Sequence, residues 1–590
     1  MISNLWMIFN EDPELSPSKK YYLQSADKLN LSYTERLIEL FRIDGDDLYY
    51  ADKIVVNMPT VVLFRSRHDI DLELCAFFEQ RNVRVINNSF CINSCNDKFA
   101  TYELLEKHNI SQPKTVPFGN GLTYNEARKI FGKQFVVKDR FGQRGTGVFL
   151  ATNEKSYQDA VNAIDKDHII LQKYIEASYG KDLRVYVIGG KIAGAILRTN
   201  NSDFRANPTL GSKASIYELT DKQKRLARKI ADAINGEIVS IDFLLIENDE
   251  LVFCEANSNA GLMLPKRLSH LNLPKNIETI PNADVIIKYL AKVTEEMTRS
   301  DHKYDLWMIY EPEEIPEKFV EYLDKYDIKY EMRPIGEFRL DGDNLYYRDE
   351  IIEHLPKVVS FRFRDSIEFD LYKYFEKNGV RVVNNYFALC NSNDKLVAYS
   401  LFKSKGIKQP KTFHFPKSMT YNEIVELLGT QFIVKDRLGQ NGIDVYLVND
   451  ENSFSSAVRQ IDIDKILYQE YIGESCGKDL RVYIVGNKVI GSVLRTNECD
   501  FRANICLGAT ASNYELTSSQ KKLALKIAKF MNGEVVAVDF LIKGDELILG
   551  ETNSNAGIVS FDKLQIPVAE EIVKYIVGVI ASCNFGQSVY

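Results

Sequence analysis

The chain has 590 residues, 45% of them hydrophobic and 26% charged, with a formal net charge of −8. That length exceeds what one hydrophobic core organises, so several domains are expected. The acidic balance argues against sequence-independent nucleic-acid binding, which needs Lys and Arg against phosphates, and no apolar run reaches the roughly 18–20 residues that span a bilayer.

The first residues, MISNLWMIFNEDPE, lack a basic start followed by an apolar stretch, so no secretory signal is read. Nine Cys are scattered without a CxxC, and Cys91 with Cys95 makes too weak a pair for a metal site. Reduced thiols and a cytoplasmic location are expected. VVLFR, from Val61, is a short apolar run. DLELCAFFEQR, from Asp71, has helical spacing, and RVINNSF, from Arg84, reads as strand then loop, an α/β alternation. DKFATYELLEKHNI, from Asp97, predicts a helix that ends before Pro113. FVVKD and VFLAT flank a glycine-rich turn and predict an antiparallel hairpin. A second hairpin is predicted around Gly189-Gly190. DKQKRLARKIADAING, from Asp221, predicts an amphipathic helix closed by Gly236. IVSIDFLLIENDELVFCEANS, from Ile238, predicts a hairpin turning at Asn248-Asp249.

The series then begins again. LWMIF at Leu5 returns as LWMIY at Leu306, and GKDLRVYVIG at Gly180 as GKDLRVYIVG at Gly477. LRTNNSDFRAN at Leu197 returns as LRTNECDFRAN at Leu494, and EANSNAG at Glu255 as ETNSNAG at Glu551. The period is far longer than the roughly 20–50 residues of a solenoid, so this is a duplicated domain set. The join, EEMTRSDHKYD from Glu295, is short and charged. Two large units on so short a join are expected to pack together, as a pseudo-dimer within the chain. Divergence has spared polar blocks, and a core alone does not require an Arg, two Asp and an Asn in fixed order.

Asp242 lies on an apolar strand, with Glu255 and Asn257 at the end of its hairpin partner. Two residues apart on a strand, Glu255 and Asn257 face one side. Two carboxylates and an amide oxygen suit Mg²⁺ or Mn²⁺. The plainer reading is a solvated hairpin end, but an unpaired charge within an apolar strand is expensive. The second copy keeps Asp539, Glu551 and Asn553. In KDRFGQRGTGV, Gly142, Gly145 and Gly147 bare backbone N–H groups that can cradle phosphate, and Lys138 adds charge at the base. GxxxxGK[ST] is absent. Arg184, Arg198 and Arg205 stand with Asp182, Asp203 and Asn207, either as an Arg–Asp network or as a phosphate and carboxylate clamp.

The order Lys, glycine loop, QKY or QEY, GKDLR, DFRAN, Asp, ExNSxxG resembles the ATP-grasp carboxylate–amine ligases, nearest to the RimK-like group, here in tandem. The resemblance implies an α/β (α+β) fold: two ATP-grasp folds, each with an N-terminal Rossmann-like pre-ATP-grasp domain. The implied boundaries are 1–95, 96–295, 303–392 and 393–590. It implies ATP, with Mg²⁺ or Mn²⁺ and two ions per active site. Lys98, Lys138 and the loop Gly142, Gly145, Gly147 would hold phosphates; Gln172, Lys173 and Tyr174 would form the adenine hinge; Asp182 and Asn207 would contact ATP. Asp242, Glu255 and Asn257 would bind metal, and Arg184, Arg198 and Arg205 would be catalytic. In the second repeat these are Lys395, Lys435, Gly439, Gly442, Gln469, Glu470, Tyr471, Asp479, Asn504, the metal set above, and Arg481, Arg495 and Arg502. The implied activity joins a small-molecule or peptide carboxylate to an amine through an acyl phosphate, with neither nucleic acid nor membrane as partner. Alternatives are a ribosomal-peptide maturase closing side-chain amides or esters, and a nucleotide-binding scaffold with one inactive repeat.

The copies differ at a few positions. Gly147 becomes Asp444, Lys173 becomes Glu470 and Pro208 becomes Ile505. A carboxylate beside phosphates is unfavourable unless it points away or binds metal. Both copies keep complete metal and arginine sets, so both are expected to bind nucleotide and catalyse.

Overall fold

The computed structural model describes residues 4–12, 16, 18–45, 47–66, 68–118, 121–142, 145–207, 212–259, 261, 283–298, 302–311, 317–362, 368–415, 418–440 and 442–585. The chain divides into two compact units, 1–79 with 83–299 and 80–82 with 300–590.

In the first unit a parallel sheet runs in the order Thr34–Leu37, Leu5–Phe9, Val61–Arg65, Arg84–Ile86. LWMIF and VVLFR are buried at every position. A parallel strand covered on both faces has no polar side, which is why these read as continuous apolar runs. Helix Asp71–Glu79 buries Leu74, Cys75, Phe77 and Phe78 against one face. Helix Ala283–Thr298 brings Ile286, Ile287 and Leu290 to a core with Leu5, Met7 and Leu63. A three-stranded antiparallel ribbon, Phe41–Asp44, Asp47–Tyr50 and Lys53–Ile54, was not foreseen from the sequence.

Two antiparallel sheets follow. The first has the order Val148–Ala151, Phe135–Asp139, Ile169–Lys173, Thr115–Pro117. The second has the order Lys213–Ile216, Lys191–Thr199, Lys181–Ile188, Ile238–Leu245, Leu251–Asn257. The three predicted hairpins are all present. The last turns through a 3₁₀ segment, Glu247–Asp249, with Asp249 at φ +57°. Helix Asp221–Ala233 packs Ala227, Ile230 and Ala231 on Leu183, Val185, Ile241 and Phe243. Its close needs a correction: the left-handed residue is Asn235 (φ 49°), not Gly236. Gly236 follows and donates its N–H to Ala231 O at 2.8 Å. Asn tolerates the left-handed region, so the glycine is not required for the turn.

The second unit repeats the series. Its parallel sheet is Tyr330–Pro334, Leu306–Tyr310, Val358–Arg362, Arg381–Val383. Its antiparallel sheets are Thr412–Phe413, Ile466–Glu470, Phe432–Asp436, Val445–Val448, and Thr510–Asn513, Lys488–Thr496, Lys478–Val485, Val535–Lys543, Glu546–Asn553. Among the described residues no helix is long and apolar enough to cross a membrane.

Candidate active site

Strand pairing puts the polar blocks onto one face. Asp242 lies opposite Glu255, and Ser240 opposite Asn257, with a bulge directly after Asp242. Asp539 and Glu551 pair in the same way, as do Ala537 and Asn553. On the neighbouring strand Arg184 lies opposite Asp242, and beyond it Arg198 lies opposite Asp182. The four charges form an alternating row. Arg184 grips Asp242 with two hydrogen bonds, at 2.7 and 2.6 Å. Arg198 grips Asp182 at 2.5 and 2.6 Å and reaches Asp242 Oδ2 at 3.0 Å. The second unit repeats the row as Arg481, Asp539, Arg495 and Asp479.

Burial pushes Asp242 upward, but Arg184 and Arg198 outweigh it and hold its carboxyl low, at about 2. Asp182 is held by Arg198, but burial wins, raising it to about 6. Asp479 is raised in the same way, to about 6. Asp242 therefore stays ionised on the face it shares with Glu255 and Asn257. Among the described residues no three His, Cys, Asp or Glu side chains cluster to hold a metal; the candidate set is two carboxylates and an amide. It fits a hard cation: among the described residues the buried Asn257 Nδ2 position has no hydrogen-bond partner. Amide O and N are interchangeable by a flip, so that atom is available to a ligand. The twin Asn553 Nδ2 sits 3.4 Å from Asp539 Oδ2.

Two lysines stand across from these carboxylates. Lys98 opens helix Lys98–Lys107 and its Nζ donates to Gly142 O in the glycine loop. Lys138 Nζ donates to Gln172 Oε1 at 2.6 Å, and Gln172 Nε2 donates to Thr115 Oγ1 at 2.9 Å. Burial lowers Lys98, Glu255 opposes and Lys138 adds to the lowering. In the second unit Lys395 Nζ donates to Gly439 O and lies 3.6 Å from Glu551 Oε1. Lys435 donates to Gln469 Oε1 at 2.9 Å. Burial, with Lys395 beside it, brings Lys435 down to about 8. Lys395, Lys435, Thr412, Gln469 and Glu551 line one cavity. Paired lysines, half-buried except for the buried Lys435, under a bare backbone loop fit a polyphosphate.

The third arginine sits elsewhere. Arg205 donates to Gly145 O at 3.1 Å and Val148 O at 3.3 Å, while Asp203 holds its other edge at 3.0 and 2.8 Å. Gly145 has φ +78°, and a Cβ there would lie 3.0 Å from the Asn207 amide carbon. DFRAN thus braces the loop. Arg502 and Asn504 do the same to Gly442. At the expected hinge, Lys173 N–H donates to Lys114 O, and the Tyr174 ring meets Phe204 edge-on. Glu470 Oε2 accepts from Lys411 N–H at 3.0 Å.

Two supporting groups escaped the sequence reading. Asp97 caps the helix that begins at Lys98, and Arg140 grips its carboxylate twice at 2.5 Å. Asp394 and Arg437 repeat the contact at 2.6 Å. The signal was present as an Asp before each lysine and a repeated KDR. Asn87 binds both ends of the carboxylate hairpin. Its Nδ2 donates to Ile238 O at 2.8 Å and Ser258 O at 2.7 Å; its Oδ1 accepts from Glu237 N–H and Ile238 N–H, both at 2.9 Å. Asn384 makes the matching set.

Comparison with known proteins identifies relatives of the chain. N-acetylaspartylglutamate synthase A of Homo sapiens is 30% identical over 219 residues, 36% of this chain and 55% of the relative. The chain thus spans little more than half of that relative's length. A probable alpha-L-glutamate ligase 1 of Shewanella sp. (strain W3-18-1) is 33% identical over 247 residues, 41% of this chain and 80% of the relative. The solved structure of the ATP-grasp ligase PsnB, complexed with a phosphomimetic variant of its minimal precursor, Mg and ADP, overlays with TM-score 0.38 at 14% identity, over 47% of this chain and 99% of that one. A RimK-like ATP-grasp domain matches twice, at residues 95–280 and 392–576. The chain belongs to the RimK-like ATP-grasp family and carries its domain in tandem.

Proposed function

We propose that each repeat builds one ATP-dependent ligase site that joins a carboxylate to an amine. The observation that carries this reading is the shared face of Asp242, Glu255 and Asn257, set against Lys98 and Lys138, and repeated in full as Asp539, Glu551, Asn553, Lys395 and Lys435. The domain division 1–95, 96–295, 303–392 and 393–590 goes with it, because each parallel sheet has its last strand before the matched domain.

In this reading a substrate carboxylate takes the terminal phosphoryl group of ATP and becomes an acyl phosphate, which the amine then attacks to give an amide and phosphate. No enzyme nucleophile is required. Lys98 and Lys138 bind phosphate oxygens, and the loop at Gly142, Gly145 and Gly147 closes over them. Two Mg²⁺ or Mn²⁺ ions, held by Asp242, Glu255 and Asn257, would supply charge neutralisation across the phosphoryl groups. Arg184 and Arg198 keep Asp242 ionised and in place. Arg205 and Asn207 fix the loop, and the hinge at Gln172, Lys173 and Tyr174 receives the base. Gln172 also steadies Lys138.

The names of the relatives share glutamate, so glutamate is the first amine to try, against small-molecule and peptide carboxylates. Incubation of the chain with Mg-ATP and an acid–amine panel should release ADP and phosphate and yield a dehydrated conjugate by mass spectrometry. ATP binding without ADP release across the whole panel would instead favour a nucleotide-binding scaffold.

A further inference from the structure

The glycine loop of the second repeat carries a carboxylate where the first has none. Asp444 stands at the position of Gly147 and keeps its backbone: φ is +55° against +66°. The same hydrogen bond closes both loops, from Asp139 N–H to Gly147 O at 2.7 Å and from Asp436 N–H to Asp444 O at 2.9 Å. A second difference sits two residues on. Phe149 in the first repeat becomes Tyr446 in the second, and its added hydroxyl donates to Asp444 Oδ1 at 3.0 Å. Phe149 pairs with Val137 and Tyr446 with Val434, so the two rings occupy equivalent strand positions.

We propose that Tyr446 is a positioning residue that tethers the Asp444 carboxylate and keeps it from the phosphates, so that the second loop still accepts nucleotide. This rests on the reading that the second repeat binds ATP. Asp444 and Tyr446 are then a compensating pair: the charge is tolerated because the hydroxyl holds it. A carboxylate released within the loop would repel the ligand it should cradle, because both are anionic.

The test is calorimetric titration of the full chain with Mg-ATP, its first site disabled by Lys98→Ala and Lys138→Ala. Loss of the signal on Lys435→Ala assigns the heat to the second repeat. Tyr446→Phe should weaken binding about tenfold, the scale of one hydrogen bond to a charged group. Tyr446→Phe combined with Asp444→Gly recreates the first repeat's pair and should return affinity to within about twofold of the parent, a rescue that lost packing would not give. Tyr446→Leu serves as a second hydroxyl-free variant. Unchanged affinity in Tyr446→Phe, or a loss that Asp444→Gly does not rescue, overturns the tether and leaves the ligase reading intact. A parent chain with no heat sensitive to Lys435→Ala overturns both for this repeat.

Discussion

Asn87→Ala probes how the parallel sheet positions the carboxylate face. Asn87 is 2% exposed, and its amide makes four hydrogen bonds to the hairpin ends. Truncation strands the N–H groups of Glu237 and Ile238 and the Ile238 carbonyl, and leaves Ser258 O with Arg65 Nη1 at 3.3 Å. A buried polar group left without a partner costs about 1–3 kcal/mol. Water and local relaxation recover part of this, so a loss of about 3–5 kcal/mol is expected, in the tail reserved for broken buried networks. Ser258 adjoins Asn257, so the apparent KM for ATP should rise as well. The chain supplies its own reporters: its two tryptophans are Trp6, buried in the first unit, and Trp307, buried in the second. Urea unfolding of Asn87→Ala in a Trp307→Phe background, followed by Trp6 fluorescence, reads the first unit. Asn384→Ala in a Trp6→Phe background should give a matching loss in the second. A destabilisation below about 1 kcal/mol in either would refute the claim that these amides bind the hairpin.

Three further outcomes are expected. Arg198→Met strips a buried carboxylate of its partner and should destabilise the first unit by about 3–5 kcal/mol, while Arg198→Met with Asp182→Leu should recover most of it in the same urea experiment. Burial raises Asp182 to about 6, above the ~3.9 of an unfolded Asp; the native state therefore holds that proton more tightly, the associated stability is full below about pH 4 and is lost as pH rises to about 6, and urea midpoints of Asp182→Asn should lack that slope. With Lys435 lowered to about 8, its charge is lost above that pH, so ATP affinity at the second site should fall as pH rises from 8 to 9.5, whereas Lys435→Arg should flatten the profile in calorimetry.

The sequence made legible whatever follows from local period and repetition. Strand alternation placed Glu255 and Asn257 on one side, and hairpin geometry brought Asp242 opposite. The apolar run at Val61, the helical spacing from Asp71 and the strand at Arg84 marked an α/β alternation. What stayed hidden depends on contacts between distant segments. Nothing near Asp182 shows that Arg198 grips it, or that Arg198 also reaches Asp242. The three arginines looked equivalent, yet Arg205 braces the loop while Arg184 and Arg198 serve the carboxylates. Asn87 and Asp97 lay in segments read as a strand with its loop and as a helix, and their partners were not visible, because those lie across the fold at Glu237, Ile238, Ser258 and Arg140. The helix close was misplaced by one residue, since Asn235 takes the left-handed position that a glycine was expected to fill.

On the proposed function, each repeat holds its own nucleotide. Equilibrium dialysis of the full chain against labelled Mg-ATP counts those sites directly. Two nucleotides per chain are predicted, falling to one with Lys98→Ala/Lys138→Ala or with Lys395→Ala/Lys435→Ala, and to none when all four are changed. A wild-type stoichiometry of one, or binding that survives all four changes, would contradict the claim.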